Sequence, residues 1–189
     1  AGRVLTDAGL HVLLVDRGRS VGGRMATRRV GSGVADHGAQ FFTVRDVEFG
    51  TFVERWIAEG VVFEWSRGWS DGSLAATRDG HPRYAARGGM NALAKTLAKG
   101  LDARVKVHLI GIKPIDGGWQ VEDETGTPQR ARAILLTPPV PQSLELLKAV
   151  PLKPEDRAAL EAIDYSRSLT GLFVLDREIR LPSPGAIQR

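Results

Sequence analysis

Cysteine is absent from the sequence, and both histidine (four residues) and aromatic residues (6%) are scarce. The absence of cysteine excludes disulfide bonds, thiolate metal sites, a cysteine nucleophile and a cysteinyl link to a cofactor. No apolar run approaches the ~20 residues that a membrane-spanning helix needs, and no signal peptide is visible. We therefore expect a soluble, cytoplasmic protein that does not bind a membrane.

Most of the chain also has no net charge. The 189 residues carry a net charge of +4, but six of the 26 basic residues and only two of the 22 acidic residues lie in residues 1–30, so the rest of the chain is neutral. Proteins that bind nucleic acid usually spread Lys and Arg along one face. A single basic segment instead indicates a local anion site, and we expect no nucleic-acid partner.

The order of the predicted elements indicates an α/β chain. The composition, 42% hydrophobic and 25% charged, is that of a globular protein with a buried core. Residues 17–38 are predicted to form a loop, and residues 61–84 short aromatic strands broken by glycines that include Gly72. Apolar periodicity and turn residues predict the remaining elements: helices at 2–8, 46–60, 90–99, 142–149 and 154–163, and strands at 11–16, 104–113, 119–122, 131–137 and 168–175. This order indicates a nucleotide-binding layer with a second, aromatic-rich subdomain inserted into it.

Asp16 ends the strand predicted at 11–16. In dinucleotide-binding folds an acid at this place accepts hydrogen bonds from the adenosine ribose, ~20 residues after a G-x-G-x-x-G loop. That loop does not occur in the fifteen residues before Asp16. By itself, an Asp at a strand end is more often a solvated turn residue.

Two adjacent glycines, Gly22 and Gly23, stand directly before Arg24. Glycine lets the backbone approach a phosphate closely, and a guanidinium can hold two phosphate oxygens in a fork. With Thr27 these residues match a G-G-R-x-x-[ST] motif. Two further motifs follow in order, D-H-G-A-Q-F-F-T at 36–43 and R-Y-A-A-R-G-G-M at 83–90.

Together the three motifs resemble the small bacterial renalase-like branch of FAD-dependent oxidoreductases, within the flavin-containing amine oxidase superfamily. The resemblance runs from Val4 to about Leu175. It implies an α/β fold: a partial Rossmann-like FAD-binding domain of the glutathione-reductase type (residues 1–45 and 86–140) with an inserted α+β substrate subdomain (46–85 and 141–189). The family's N-terminal glycine loop and C-terminal Gly-Asp motif do not occur here, so we expect a fragment of a longer enzyme, inactive by itself.

The resemblance also implies roles for individual residues. The residues implied to bind FAD are Asp16, Arg17, Gly22, Gly23, Arg24, His37, Gly38, Ala39, Gln40, Phe41, Val107 and Thr137. Those implied to bind a small-molecule substrate are Thr43, Trp65, Arg83 and Tyr84. No side chain is assigned as catalytic, because the flavin carries the chemistry, and no histidine or carboxylate set has metal-ligand spacing.

The activity implied is hydride transfer from an amine or a dihydronicotinamide-type substrate to the flavin, with dioxygen as the acceptor. Two alternatives remain open from the residues alone. One is a non-catalytic nucleotide-binding or basic module, which the net charge favours. The other keeps the fold but catalyses a desaturase or mutase reaction. Trp56 with Phe49 and Phe52 is interpreted as core, whereas Trp65 and Trp69 are candidates to line a substrate pocket.

Overall fold

The fold is known from a computed structural model, which describes residues 1–71, 73 and 79–188. The predicted break at Gly72 lies outside the described residues. The helices are α1 (Gly2–Asp7), α2 (Val47–Ala58), α3 (Met90–Ala98), α4 (Val140–Leu146) and α5 (Pro154–Glu161). The strands are β1 (Leu13–Asp16), β2 (Thr27–Val30), β3 (Gly33–Asp36), β4 (Phe42–Thr43), β5 (Val62–Ser66), β6 (Arg83–Ala86), β7 (Asp102–Val105), β8 (Leu109–Ile115), β9 (Gly118–Asp123) and β10 (Pro128–Ala131).

The chain divides into two compact units. The first contains residues 1–13, 20–102 and 170–189, and the second contains residues 14–19 and 103–169. The first therefore holds the β2–β3 hairpin, the antiparallel sheet β4–β6–β5 and helices α1 to α3. The second holds the antiparallel meander β8–β9–β10, helices α4 and α5, and most of the β1–β7 pair.

Helix α2 builds the core of the first unit. The side chain of Asp46 accepts a hydrogen bond from Phe49 N (2.7 Å) and so caps the first turn, which is the usual role of Asp at this position. The apolar spacing turns Val53 and Trp56 inward, where they pack with buried residues of β5, β6 and α3. The helix predicted at 46–60 and the core role of Trp56 are confirmed; Phe49 and Phe52 lie at the exposed edge of this core.

The prediction of a loop over residues 17–38 is wrong in its second half. Residues 27–36 form an antiparallel hairpin, in which Thr27 faces Asp36 and Val30 faces Gly33 across the pair. Arginine and glycine are so frequent here that no apolar alternation marks the strands. The hairpin therefore forms without the alternation of apolar and polar residues by which a strand is predicted from sequence.

In the second unit a three-strand meander forms as β8–β9–β10, but the strand predicted at 104–113 is divided: residues 104–105 belong to β7, residues 106–108 to no strand and residues 109–113 to β8. The turns at Gly117-Gly118 and at residues 125–128 join β8 to β9 and β9 to β10. The two helices predicted between 142 and 163 are α4 and α5, each with a proline in its first turn.

Two predicted strands are wrong. Pairing stops at Ala131, and residues 133–137 are irregular, with Leu135 64% exposed. Residues 168–175 join no sheet in the described part of the chain, and Phe173 is 84% exposed. An apolar run becomes a strand only where a neighbouring strand accepts its backbone hydrogen bonds, and the described residues supply none for these two segments. Nor does any helix among the described residues have the length and apolar content to cross a bilayer.

Candidate functional site

The glycines of the first motif have different surroundings in the first unit. A Cβ placed on Gly22 would lie 2.5 Å from Asn91 Nδ2 and 3.0 Å from Ala94 Cβ, so Gly22 packs against α3. A Cβ placed on Gly23 would meet nothing within 4 Å. Both have a positive φ, 116° and 46° respectively, which favours glycine. Of the two, Gly23 is the one whose backbone a ligand can approach.

The segment around Arg24 and the segment after β3 are paired by backbone hydrogen bonds. Ala39 N donates to Arg24 O (2.9 Å) and His37 N donates to Ala26 O (3.2 Å). A Cβ on Gly38 would overlap the Arg24 carbonyl oxygen, so only glycine allows this close approach. The structure therefore places side by side two segments that the resemblance assigns to different parts of the cofactor. The side chains of Arg24, His37 and Gln40 are exposed there.

A set of polar side chains ties both segments to the start of α3. Thr27 Oγ1 donates to Asp36 Oδ1 and accepts from Asn91 N (3.0 Å). Met90 N lies 3.0 and 3.1 Å from the two Asp36 carboxylate oxygens, to which it donates. We call Thr27, Asp36 and Asn91 the helix anchor. None of the three was predicted to have a role, although Thr27 closes the first motif, Asp36 opens the second and Asn91 follows the third.

Aromatic rings form a second cluster in the first unit. The ring centroids of Phe41, Trp65 and Trp69 lie 5.1–6.2 Å apart, in tilted and edge-to-face arrangements that suit aromatic pairs. All three residues are half-buried, and Trp65 Nε1 donates to Pro184 O (3.2 Å). We call these three residues the aromatic cluster. It joins Phe41, implied to bind the cofactor, to Trp65, implied to bind the substrate.

Arg83 lies against this cluster. Its guanidinium carbon is 4.8 Å from the Trp69 ring centroid, and its two terminal nitrogens bind the Asp79 carboxylate at 3.1 and 2.6 Å. The hydrogen bond from Arg83 lowers the pKa of Asp79 to about 2, with a further contribution from His81 N. The Arg83 side chain is only 12% exposed. Arg83 thus contacts Trp69, which packs on Trp65, and it faces Thr43 across the β4–β6 pair. The substrate contacts of Trp65, Arg83 and Thr43 stay predictions from the resemblance, and Asp79 was missed.

Tyr84 lies on the other face of β6. Its ring stacks on Phe42 with centroids 5.7 Å apart and packs against the core cluster that contains Trp56. Successive side chains of a strand point to opposite faces, so Tyr84 cannot share the environment of Arg83. The structure gives Tyr84 a packing role, and its substrate contact stays a prediction from the resemblance.

In the second unit, backbone hydrogen bonds hold Asp16 at the end of β1. Its Oδ1 accepts from Gly18 N (2.6 Å), while its carbonyl accepts from Val107 N (3.1 Å). Lys106 N donates to Gly18 O (2.8 Å) next to this contact. The Val107 N–H is thus used within the protein, and its carbonyl is the backbone group it can offer to a ligand.

The remaining predicted residues lie apart in the chain. Arg17 is exposed beside Asp16, and Thr137 is exposed in the irregular segment that precedes α4, both in the second unit. Every other predicted site residue belongs to the first unit, apart from Asp16 and Val107. Within the described parts of the chain, no group of three His, Asp or Glu side chains is arranged to hold a metal ion.

Comparison with known proteins gives two family matches. Residues 1–55 match the NAD(P)-binding Rossmann-like domain, and residues 48–185 match the flavin containing amine oxidoreductase family. The predicted α/β fold with a Rossmann-like nucleotide-binding part is therefore confirmed.

Individual relatives agree with these matches. The chain is 28% identical to renalase of Mus musculus in an alignment of 183 positions, which covers 88% of this chain and 51% of that protein. It thus spans about half the length of the curated relative it matches. Among solved structures, a fatty acid isomerase of P. acnes that produces CLA has a TM-score of 0.60 at 10% identity, with 85% of this chain and 60% of that chain covered. A provisionally assigned protoporphyrinogen oxidase of Exiguobacterium sp. 255-15 has a TM-score of 0.58 at 15% identity, with coverage of 85% and 59%. At these identities the two structures show the shared fold alone.

Proposed function

Because the chain belongs to the flavin-containing amine oxidoreductase family, we propose that it acts in an FAD-dependent oxidoreductase. The proposed substrate is a small amine or a dihydronicotinamide-type molecule, and the proposed acceptor is dioxygen. The observation that carries the proposal is the backbone pairing of Arg24 with Ala39, which supports a single surface built from two cofactor motifs.

The first unit has the groups that the diphosphate and the ring of FAD require. Gly23 is exposed with open space around it, so its backbone suits close approach by a phosphate. Arg24 supplies an exposed guanidinium two peptide bonds away from Gly22, and guanidinium groups bind phosphate oxygens in pairs. The residues from His37 to Gln40 are exposed beside it and are proposed to lie along the isoalloxazine ring.

The second unit has groups that suit the adenosine part. Gly18 N donates to one oxygen of the Asp16 carboxylate, and the other oxygen is proposed to accept from ribose hydroxyls. The Val107 carbonyl is proposed to accept from the adenine amino group, and Arg17 to lie beside the ribose. Thr137 keeps only its assignment from the resemblance.

When bound, the flavin would supply the ring that accepts the substrate hydride, and the two electrons would reduce dioxygen to hydrogen peroxide with two protons, one from the hydride and one from solvent. The chain contributes orientation and shielding. The aromatic cluster is proposed to offer an apolar surface, built of rings packed edge to face, that excludes water from a reacting C–H bond. Arg83 is neutralised by Asp79, so this surface accepts neutral or cationic substrates without repulsion. No side chain of the described residues is proposed as acid or base.

The proposal is tested by titrating the purified chain with FAD and following the flavin absorbance. We expect a saturable change with a bound, yellow species. Failure to bind FAD contradicts the proposal. Bleaching by an amine or a dihydronicotinamide in the absence of air, with hydrogen peroxide on readmission of air, would show that the chain is active by itself, contrary to the expectation from its sequence. Binding without bleaching agrees with a chain that is inactive by itself and also with a non-catalytic nucleotide-binding module, and a product formed without peroxide favours a desaturase or mutase reaction.

Duplex DNA at two salt concentrations serves as the control ligand. We expect no saturable binding, because the excess charge is local. Tight binding that weakens steeply with salt indicates a basic nucleic-acid-binding module instead.

A further inference from the structure

We propose that Thr27 and Asp36 are positioning residues, which fix the two cofactor-facing segments of the first unit on the N-terminus of α3. The inference rests on the proposed function for its effect on FAD, but its geometry is independent of any ligand. Both residues lie outside the surface assigned to FAD, and they act through Arg24 and the segment from His37 to Ala39.

The start of α3 needs a partner from elsewhere in the chain. The first N–H groups of a helix have no acceptor within the helix. The residue at the N-cap position is Gly89, which has no side chain to accept a hydrogen bond. Asp36, at the end of β3, takes this role by accepting from Met90 N with both carboxylate oxygens, and its negative charge suits the positive end of the helix.

Thr27 connects the contact between Asp36 and α3 to the other strand of the hairpin. Its hydroxyl donates to Asp36 and accepts from Asn91 N, so both functions of the hydroxyl are used. Thr27 and Asp36 face one another in the β2–β3 register. A Cβ on Gly89 would overlap the Thr27 side chain, so the hairpin and the start of α3 are in close contact there.

The hairpin continues directly into the cofactor-facing segments. The next backbone pair beyond Thr27 and Asp36 is Ala26 with His37, and the one after it is Arg24 with Ala39. A shift of Asp36 away from α3 therefore moves both segments. The Asn91 side chain holds the other end of the same loop, because its Nδ2 donates to Val21 O and its Oδ1 accepts from Ser20 Oγ (3.3 Å).

The test compares Thr27→Val, which keeps the shape and loses the hydroxyl, with Thr27→Ser, which keeps the hydroxyl. In the cofactor-free chain we expect Thr27→Val to speed hydrogen exchange about tenfold at the amides of His37, Ala39 and Asn91. With FAD we expect its dissociation constant to rise about tenfold, equivalent to about 1.4 kcal/mol. Thr27→Ser should restore both values to within roughly twofold of the wild type.

Asp36→Asn and Val53→Ala complete the design. Asp36→Asn keeps one acceptor oxygen and loses the charge, so it should fall between the wild type and Thr27→Val in both measurements. Val53 is a core residue of α2 whose cluster includes Met90 but none of the three helix-anchor residues, so Val53→Ala should lower the melting temperature without changing exchange at His37 and Ala39.

The two measurements separate this proposal from the proposed function. Unchanged exchange at His37, Ala39 and Asn91 in Thr27→Val overturns the positioning role, whether or not FAD binds. If the wild type binds no FAD, the proposed function fails and the exchange measurement still decides the positioning role. If Val53→Ala raises the FAD dissociation constant as much as Thr27→Val at equal melting temperature, the effect is general destabilisation and the proposal is wrong.

Discussion

The two units hold their candidate binding groups by different means. In the first unit, side chains do so: Thr27, Asp36 and Asn91 fasten the paired segments to α3. In the second unit, backbone groups hold Asp16, through Val107 N to its carbonyl and Gly18 N to its carboxylate. The first arrangement depends on particular residue types and the second mainly on the path of the chain. Substitutions in the paired segments of the first unit should therefore cost more stability than substitutions beside Asp16 in the second unit.

The largest effect is expected at Gly38, where a side chain meets backbone rather than a flexible group. Gly38→Val should force the segments of Arg24 and Ala39 apart and cost about 3 kcal/mol of unfolding free energy. Urea denaturation of the purified variant measures this. Gly33→Val in the adjoining hairpin is the matched control, because its Cβ would lie at an ordinary 3.7 Å from Val30 O, and it should cost less than about 0.5 kcal/mol. Equal costs for the two variants contradict the close packing at Gly38.

A smaller but more discriminating effect is expected at the two motif glycines. Gly22→Ala should cost about 2 kcal/mol, since its Cβ meets the Asn91 side chain at a positive φ. Gly23→Ala should cost about 1 kcal/mol, from the backbone conformation alone.

In FAD titrations the order of these two variants should reverse. Gly23→Ala should raise the FAD dissociation constant roughly tenfold. Gly22→Ala should raise it by less when the two variants are compared under conditions in which the same fraction of each is folded. The same order in both measurements shows that Gly23 does not face the cofactor.

In the second unit, replacing Lys106 by glycine is expected to raise the free energy of unfolding. Its φ of 58° is unfavourable for a residue with a Cβ, whereas its N–H donates to Gly18 O. Lys106→Gly keeps the N–H and relieves the conformation, so it should stabilise the chain by about 1 kcal/mol in thermal unfolding. Lys113→Gly, in strand β8, is the control and should destabilise by about 0.5–1 kcal/mol. A loss of stability in Lys106→Gly shows that the side chain matters in the second unit as it does in the first.

The smallest effect is expected at the ion pair between the exposed Asp79 carboxylate and the largely covered Arg83 side chain. The pKa of Asp79 falls from 3.8 to about 2 on folding, so the unfolded chain binds its proton first as the pH drops. The stabilisation is therefore complete above about pH 5 and is lost between about pH 4 and pH 2. The difference in melting temperature between the wild type and Asp79→Asn should follow this course. A difference that persists at pH 2 excludes the carboxylate charge as its source.

Local residue patterns predicted part of the fold and of the site. Asp46 and the apolar spacing to Trp56 predicted α2, because a cap and an amphipathic face need only neighbouring residues. Gly22-Gly23-Arg24 and the segment after Asp36 predicted the two segments that the structure brings together. The hairpin at 27–36 was missed, and the strands predicted at 131–137 and 168–175 do not form in the described residues. Strand formation depends on a partner that is distant in sequence, which an apolar run does not reveal.

The sequence by itself determined the family motifs, the capped helix and the turns of the meander, since each of these depends on residue types a few positions apart. The tertiary structure alone decided that Gly22 packs against α3 while Gly23 is open, and that Tyr84 faces the core while Arg83 lies on Trp69. It also decided that Asp36, more than fifty residues before α3, caps that helix. The physical reason is that the energetic cost of an unsatisfied N–H or of an added Cβ depends on the atoms that lie near it in space. The fold decides which atoms those are.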